Sequence, residues 1–136
     1  MDEEEQFPEV ERFIEDMCEA VPALRPILEL ERSRGYSVSM MTMGEMTRVA
    51  KEWHLAELRD PSRPSKELRE MFAFLESRYP SSTEQIRMVI DEEFLENLKG
   101  PADPQWRIRE LLGPALRKRI EVIWSSKHPW IRGGWR

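Results

Sequence analysis

Four acidic side chains in one predicted helix are the residues of this sequence best suited to chemistry: Asp91, Glu92, Glu93 and Glu96. Carboxylates inside a helix bundle can hold a pair of divalent metal ions, but such sites also use Glu-x-x-His pairs. The sequence has no such pair, and its histidines, His54 and His128, show no liganding spacing. His54, near the predicted end of the third helix, is expected to be a surface or helix-end residue. We therefore expect no metal, no cofactor and no catalytic residue.

Glu93 differs from its acidic neighbours, because it falls with Asn97 inside the apolar stripe of the same helix. That stripe consists of Ile86, Val89, Ile90 and Phe94. An unpaired carboxylate buried there would cost several kcal/mol or stay protonated. We expect Glu93 to pair with an arginine of another helix or with backbone at a helix end, with Asn97 completing the network. The alternative is a carboxylate at the floor of a groove, offered to a partner or lining an enzyme pocket. Asp91, Glu92 and Glu96 are expected to face solvent.

The sequence lacks the common motifs of phosphate-binding, cofactor-binding and nucleophilic sites. It contains no phosphate-binding loop, dinucleotide fingerprint or nucleophile elbow. Its single cysteine, Cys18, cannot form an internal disulfide, and its place on an apolar stripe predicts a buried, inert thiol. The acidic N-terminus does not resemble a signal peptide, and the apolar runs are too short to span a bilayer. These features predict a cytoplasmic protein that does not enter membranes.

The charge of the chain is distributed unevenly. The net charge of the 136 residues is −5. Residues 1–31 carry eleven acids against two bases, whereas residues 101–136 carry eight bases against three acids. The two ends therefore either attract each other or face partners of opposite charge. Overall acidity argues against general nucleic-acid binding, which needs a basic surface.

Apolar residues at helical spacing predict an all-α protein. The expected helix starts are Pro8, Pro26, a capping box of Thr42 with Glu45, Ser65, a capping box of Ser82 with Gln85, and Pro104 after Asp103. The fifth helix is expected to run unbroken from near Thr83 to Leu98, before Gly100 and Pro101. Six or seven helices with short connections predict a compact single-domain bundle over residues 1–124. Residues 125–136 lack a helical period and are expected to form an extended arm.

The first helix presents an acidic outer face. Four of its carboxylates lie opposite its apolar stripe: Glu11, Glu15, Asp16 and Glu19. Such a face is either simply solvated or a surface for a basic partner. In the second case we expect these four residues to bind the partner, since opposite charges steer association.

Three segments of the sequence resemble a family of small, uncharacterised helical proteins of bacteria. They are MTMGEMTR (Met41–Arg48), EFLENL (Glu93–Leu98) and ELLGPALR (Glu110–Arg117). Related sequences look like immunity proteins of bacterial toxin systems. The resemblance implies a non-enzymatic protein-binding module that neutralises a toxin, and it brings no catalytic residues with it.

Two other functions remain open at the level of sequence. A dimerising structural or regulatory protein would place the aromatic side chains of the arm, Trp130 and Trp135, in a groove of a second copy. An enzyme would need a pocket around Glu93. The sequence therefore predicts partner binding through Glu11, Glu15, Asp16, Glu19, Glu93, Trp130 and Trp135.

Overall fold

The computed structural model describes residues 8–36, 38, 40–98 and 104–127, and of residues 104–106 and 127 it describes the backbone alone. Within these ranges the chain forms six α-helices and no strand, which confirms the predicted all-α bundle. The helices are α1 (Pro8–Ala20), α2 (Arg25–Ser33), α3 (Met40–Arg59), α4 (Lys66–Arg78), α5 (Glu84–Val89) and α6 (Pro114–Lys127). In the described part of the chain, no helix has both the length and the apolar character needed to cross a bilayer.

The ends of α1 and α2 follow from proline and glycine. Pro8 opens α1, where its missing N–H would have no partner, and Pro22 follows its end. After α2, Gly35 adopts a φ of 77°, which L side chains rarely take. The N–H of Tyr36 then donates to the carbonyl of Glu31 at 3.0 Å, which closes the C-terminus of the helix. The predicted end at Gly35 is confirmed.

The core is built from apolar side chains of all six helices, together with those of the segments that follow α5. The stripe of α4 is buried as predicted, and Ser65 caps that helix by accepting from the N–H of Leu68 at 3.0 Å. At the centre, Phe72 of α4 meets Phe94 edge to face, with ring centroids 5.1 Å apart. These contacts place α4 against the segment that follows α5.

That segment corrects the prediction of one long fifth helix. The cap is Thr83 rather than Ser82, since the Thr83 hydroxyl accepts from the N–H of Ile86. Regular α-helix then lasts only from Glu84 to Val89. A π-helical turn over Ile90–Phe94 and a 3₁₀ turn over Leu95–Asn97 follow it.

Hydrogen bonds to the Glu93 carbonyl accompany the wide turn. The Thr47 hydroxyl of α3 donates to this carbonyl at 2.8 Å, and the Asn97 side-chain amide donates to it at 2.9 Å. A π turn holds more residues than an α-helical turn, so the residues after it are rotated relative to those before it. Leu95, which lies opposite the apolar stripe in a regular helix, is therefore fully buried.

The start of α3 also differs from the prediction. The helix begins at Met40, so Thr42 lies inside it and does not cap it. The Thr42 side chain is buried, and its hydroxyl donates to Glu31 of α2 at 3.4 Å. His54 is likewise not at the surface: its side chain is 3% exposed within α3.

The N-terminus of α6 is capped by a side chain from α4. The Glu76 carboxylate accepts from the N–H groups of Ala115 at 2.8 Å and Leu116 at 3.1 Å. A carboxylate suits this place because these N–H groups lack partners within the helix and carry partial positive charge. Gly113, just before α6, leaves the space that the Glu76 side chain occupies. The helix runs to Lys127, three residues beyond the predicted boundary after Trp124, and the rest of the predicted arm lies outside the described residues.

An ion pair joins the end of α3 to the start of α4. Arg69 donates to both carboxylate oxygens of Glu57, at 2.7 and 2.9 Å, and the N–H of Ser65 donates to the same group at 2.7 Å. The hydrogen bond from Arg69 is the largest cause that lowers the pKa of Glu57 from 4.5 to about 2. The pair therefore stabilises the turn between the two helices only while Glu57 is ionised.

This ion pair should make the free energy of unfolding depend on pH. A carboxyl whose pKa is lowered by folding contributes its full stabilisation above its unfolded pKa and loses it as the pH falls through the folded value. We expect the free energy of unfolding to fall between about pH 4.5 and 2, and Glu57→Gln to remove part of that fall. Urea unfolding followed by circular dichroism at several pH values measures it. Glu67→Gln, at an exposed site in α4, is the control and should keep the wild-type slope. A Glu57→Gln curve parallel to wild type would contradict the prediction.

Candidate partner-binding groove

An acidic hollow lies between α6 and the segment formed by α5 and its π turn, and we call it the α5–α6 groove. It has a volume of about 720 Å³. Its lining residues are Tyr79, Glu84, Gln85, Arg87, Met88, Asp91, Glu92, Glu96, Arg119 and Ile123. They come from segments that are separated in the sequence, so the groove exists only in the folded chain.

Three residues form a fixed polar floor. The Tyr79 hydroxyl donates to one oxygen of Asp91 at 2.9 Å, and the guanidinium of Arg119 donates to the other at 3.0 and 3.1 Å. Burial, followed by the hydrogen bond to Asp91, raises the pKa of Tyr79 to about 12, and the hydrogen bond to Asp91 also raises the pKa of Arg119. The Asp91 side chain is 13% exposed, so the prediction that it faces solvent is wrong.

The groove has an excess of negative charge. Four carboxylates line it against two guanidinium groups, which leaves a formal charge of −2. Asp91 is matched by Arg119, and Arg87 donates to the carbonyls of Tyr79 and Pro80. On the rim, Glu84 and Glu92 are exposed and form no ion pair with the residues that the structure describes. Their charge is therefore not neutralised within the part of the chain that the structure describes.

Apolar surface accompanies this charge. Met88 lies on the rim and is 43% exposed. On the other side of Arg119 an adjoining hollow of about 420 Å³ contains Val122, which is 50% exposed. The combination of exposed apolar side chains with a charged rim is typical of protein-binding surfaces.

The acidic face of α1 is largely matched within the chain. Arg32 of α2 contacts Glu11 at 2.8 Å and Glu15 at 2.6 Å. Arg25 contacts Glu15 at 3.5 Å and Glu19 at 3.7 Å, and Arg78 of α4 contacts Asp16 at 3.0 Å. The role of these four carboxylates in binding stays a prediction. Reversing their charge would also disturb the packing of α1 against α2 and α4.

Glu93 does not line the α5–α6 groove. Its half-buried side chain lies against α3, where a Cβ added to Gly44 would meet Glu93 Oε1 at 2.8 Å. No described arginine pairs with it, and Asn97 bonds to its carbonyl instead of its carboxylate. Burial, then the charges of Glu92 and Glu96, raise its pKa. Its role in binding stays a prediction, and the other two predicted contacts, Trp130 and Trp135, lie outside the described residues.

Cys18 and His54, whose side chains are of types that often take part in catalysis, lie outside the α5–α6 groove. Cys18 is buried in the core, as predicted, and burial raises the pKa of its thiol to about 11, which disfavours the thiolate at neutral pH. Burial also lowers the pKa of His54. Among the described residues, no group of three or more His, Cys, Asp or Glu side chains could hold a metal ion.

Sequence patterns did not identify Tyr79, Arg119 or the pairing of Asp91. Tyr79 ends the apolar stripe of α4 and Arg119 lies on the polar side of α6, so each has an ordinary place in its own helix. Only the packing of α6 against the π turn brings them together.

Comparisons of the chain with protein-family models, with curated proteins and with solved structures find no match.

Proposed function

We propose that this protein is a non-enzymatic protein-binding module of the cytoplasm that neutralises a partner protein, as immunity proteins of bacterial toxin systems do. Its α5–α6 groove receives a basic segment of that partner. The observation that carries this proposal is the excess of carboxylates around a concave surface that also exposes apolar side chains. The resemblance of Met41–Arg48, Glu93–Leu98 and Glu110–Arg117 to immunity-like proteins agrees with it.

The groove is a better candidate than the face of α1 because its charge is less neutralised. The α1 carboxylates have arginine partners within the chain, whereas Glu84 and Glu92 have none among the described residues. Unmatched carboxylates around a concave surface attract a basic partner before contact, which raises the rate of association.

The floor and rim of the groove have separate roles in this proposal. Asp91 already accepts hydrogen bonds from Tyr79 and Arg119, so the floor is fixed before the partner arrives and little ordering is needed. A lysine or arginine of the partner would place its charged group between Glu84 and Glu92. Its methylene stem would lie over Met88, as long basic side chains do on apolar surfaces.

The test is a protection assay with groove variants. The chain is co-expressed with each protein encoded beside its own gene, and cell survival is measured. We expect wild type to protect against one of them, and Glu84→Lys combined with Glu92→Lys to lose at least tenfold in protection, because the rim then repels a basic partner. Glu29→Lys with Glu67→Lys is the control, since it makes the same change in net charge at exposed sites on α2 and α4.

Two results would contradict the proposal. Equal loss of protection in both double variants would show that protection depends on net charge and not on the groove. If the chain protects cells against none of the proteins encoded beside its gene, the proposed immunity-like function is wrong. Circular dichroism of both variants ensures that the comparison is between folded proteins.

A further inference from the structure

A second surface, distinct from the α5–α6 groove, gathers exposed apolar side chains. Leu30 is 49% exposed, Tyr36 59% and Met41 76%. All three line one hollow of about 720 Å³ between the end of α2, the turn at Gly35 and the start of α3. We call this surface the α2–α3 face. Large apolar side chains exposed together mark interaction surfaces more often than the same residues scattered singly.

The charges around this face balance. Its hollow is lined by two acids, Glu31 and Glu45, and two bases, Arg34 and Arg48, which leaves a formal charge of zero. The whole chain carries −5, and the α5–α6 groove alone carries −2. Two identical acidic chains repel each other overall, and at the α2–α3 face this repulsion is small because its formal charge is zero.

We infer that the α2–α3 face binds a second copy of this chain and forms a homodimer with twofold symmetry. In a twofold interface the same patch lies on both sides, so it must complement itself. An apolar centre with equal numbers of acids and bases meets that condition, because Arg34 of one chain can face an acid of the other. This inference does not depend on the proposed function, and it uses a different surface from the predicted contacts Trp130 and Trp135.

The backbone holds part of the face in place before any contact forms. Gly35, with its φ of 77°, makes the turn that ends α2, and the hydrogen bond from Tyr36 N–H to the Glu31 carbonyl fixes the following residue. Leu30 is held in the last turns of α2. Little chain entropy is therefore lost when these residues are covered.

The size of the face indicates a weak dimer. Stable interfaces bury about 800 Å² on each partner, more than three exposed side chains supply. We expect reversible association with a dissociation constant in the micromolar range. Sedimentation of the full chain over a wide concentration range should show the mean mass rising from monomer towards dimer.

Variants locate the interface. Leu30→Glu should weaken dimerisation at least tenfold, because it puts a charge from each chain into the apolar centre. Met88→Glu is the matched control, since it makes the same kind of change at a comparably exposed site in the α5–α6 groove. It should leave the association constant unchanged. Circular dichroism compares the folding of the two variants.

A charge exchange tests the twofold contact itself. Arg34→Glu and Glu45→Arg should each weaken self-association, because each unbalances the charge of the face. An equimolar mixture of the two should recover association as a heterodimer, which a merely structural effect would not produce. A wild-type chain that stays monomeric at all concentrations, or one whose dimer persists in Leu30→Glu, would overturn the inference. If the wild-type chain stays monomeric, the α2–α3 face would instead bind a different partner with an apolar surface.

Discussion

Gly113→Ala should lower the free energy of unfolding by about 2 kcal/mol, although alanine usually stabilises a position of ordinary backbone geometry. A Cβ at this position would lie 2.5 Å from Cγ and 2.7 Å from Oε1 of Glu76. The Glu76 side chain must then move, and its carboxylate loses the N–H groups of Ala115 and Leu116. Each hydrogen bond to a charged group contributes about 1.5–3 kcal/mol. The entropic gain of about 0.4–1 kcal/mol from replacing glycine offsets part of this loss.

A double-mutant cycle separates these effects. In a Glu76→Ala background there is no carboxylate to displace, so Gly113→Ala should become neutral or slightly stabilising. The expected coupling free energy is about 2–3 kcal/mol. Urea unfolding of the four proteins at neutral pH measures it. If Gly113→Ala costs the same in both backgrounds, then contact with Glu76 is not the reason for glycine at this position.

Asp91→Ala should lower the free energy of unfolding by about 2–3 kcal/mol, because it leaves Arg119 and Tyr79 without their shared acceptor. Removing one partner from a fully buried ion pair costs about 3–5 kcal/mol. The expected loss is smaller here because the Arg119 side chain is 40% exposed and water replaces part of the interaction. Asp91→Asn keeps an acceptor for one donor and should lose less.

A spectroscopic readout distinguishes this mechanism from general destabilisation. The hydrogen bond and the charge of Asp91 both help raise the pKa of Tyr79 to about 12, while burial remains in the variant. Asp91→Ala should therefore lower the pKa of Tyr79. Ultraviolet absorbance of the phenolate measures this value in a Tyr36→Phe background, where Tyr79 is the single tyrosine. An unchanged titration in folded Asp91→Ala protein would show that Asp91 does not control Tyr79.

Local sequence signals predicted the ends of several helices correctly. Pro8, Ser65 and Gly35 each act on backbone groups within a few residues, so their effect is visible in the sequence. The α4 stripe was equally clear, because one face of that helix is buried along its length. These features were sufficient for the all-α class of the fold.

The π turn could not be predicted in this way. Two hydrogen bonds accompany it at the Glu93 carbonyl, and one of them comes from Thr47, which is far away in the sequence. A regular helical period would place Leu95 opposite the apolar stripe, whereas the structure buries it. The start of α3 was missed for a related reason, since Thr42 bonds to Glu31 of α2 and does not cap its own helix.

The candidate groove could not be predicted from sequence patterns either, because the pairing of charges depends on tertiary structure. The count of eleven acids in residues 1–31 indicated an acidic surface near α1. Arg32 and Arg78, however, bring positive charge onto that surface from other helices. Asp91 shows the opposite case, since a residue expected in solvent became the centre of a polar floor.

The π turn has a consequence for how this protein tolerates changes in length. The wide turn accommodates more of the chain than a regular turn would, between an α-helical start and a buried end at Leu95 and Leu98. Removing one amino acid between Ile90 and Phe94 would allow a regular helix in which Leu95 still faces inward, because the shortened chain brings Leu95 onto the stripe of Ile86 and Ile90. In evolutionary terms, a homologue that has lost this turn should differ by a single-residue deletion, with the apolar positions downstream kept in the same order. Substitutions alone would not remove it.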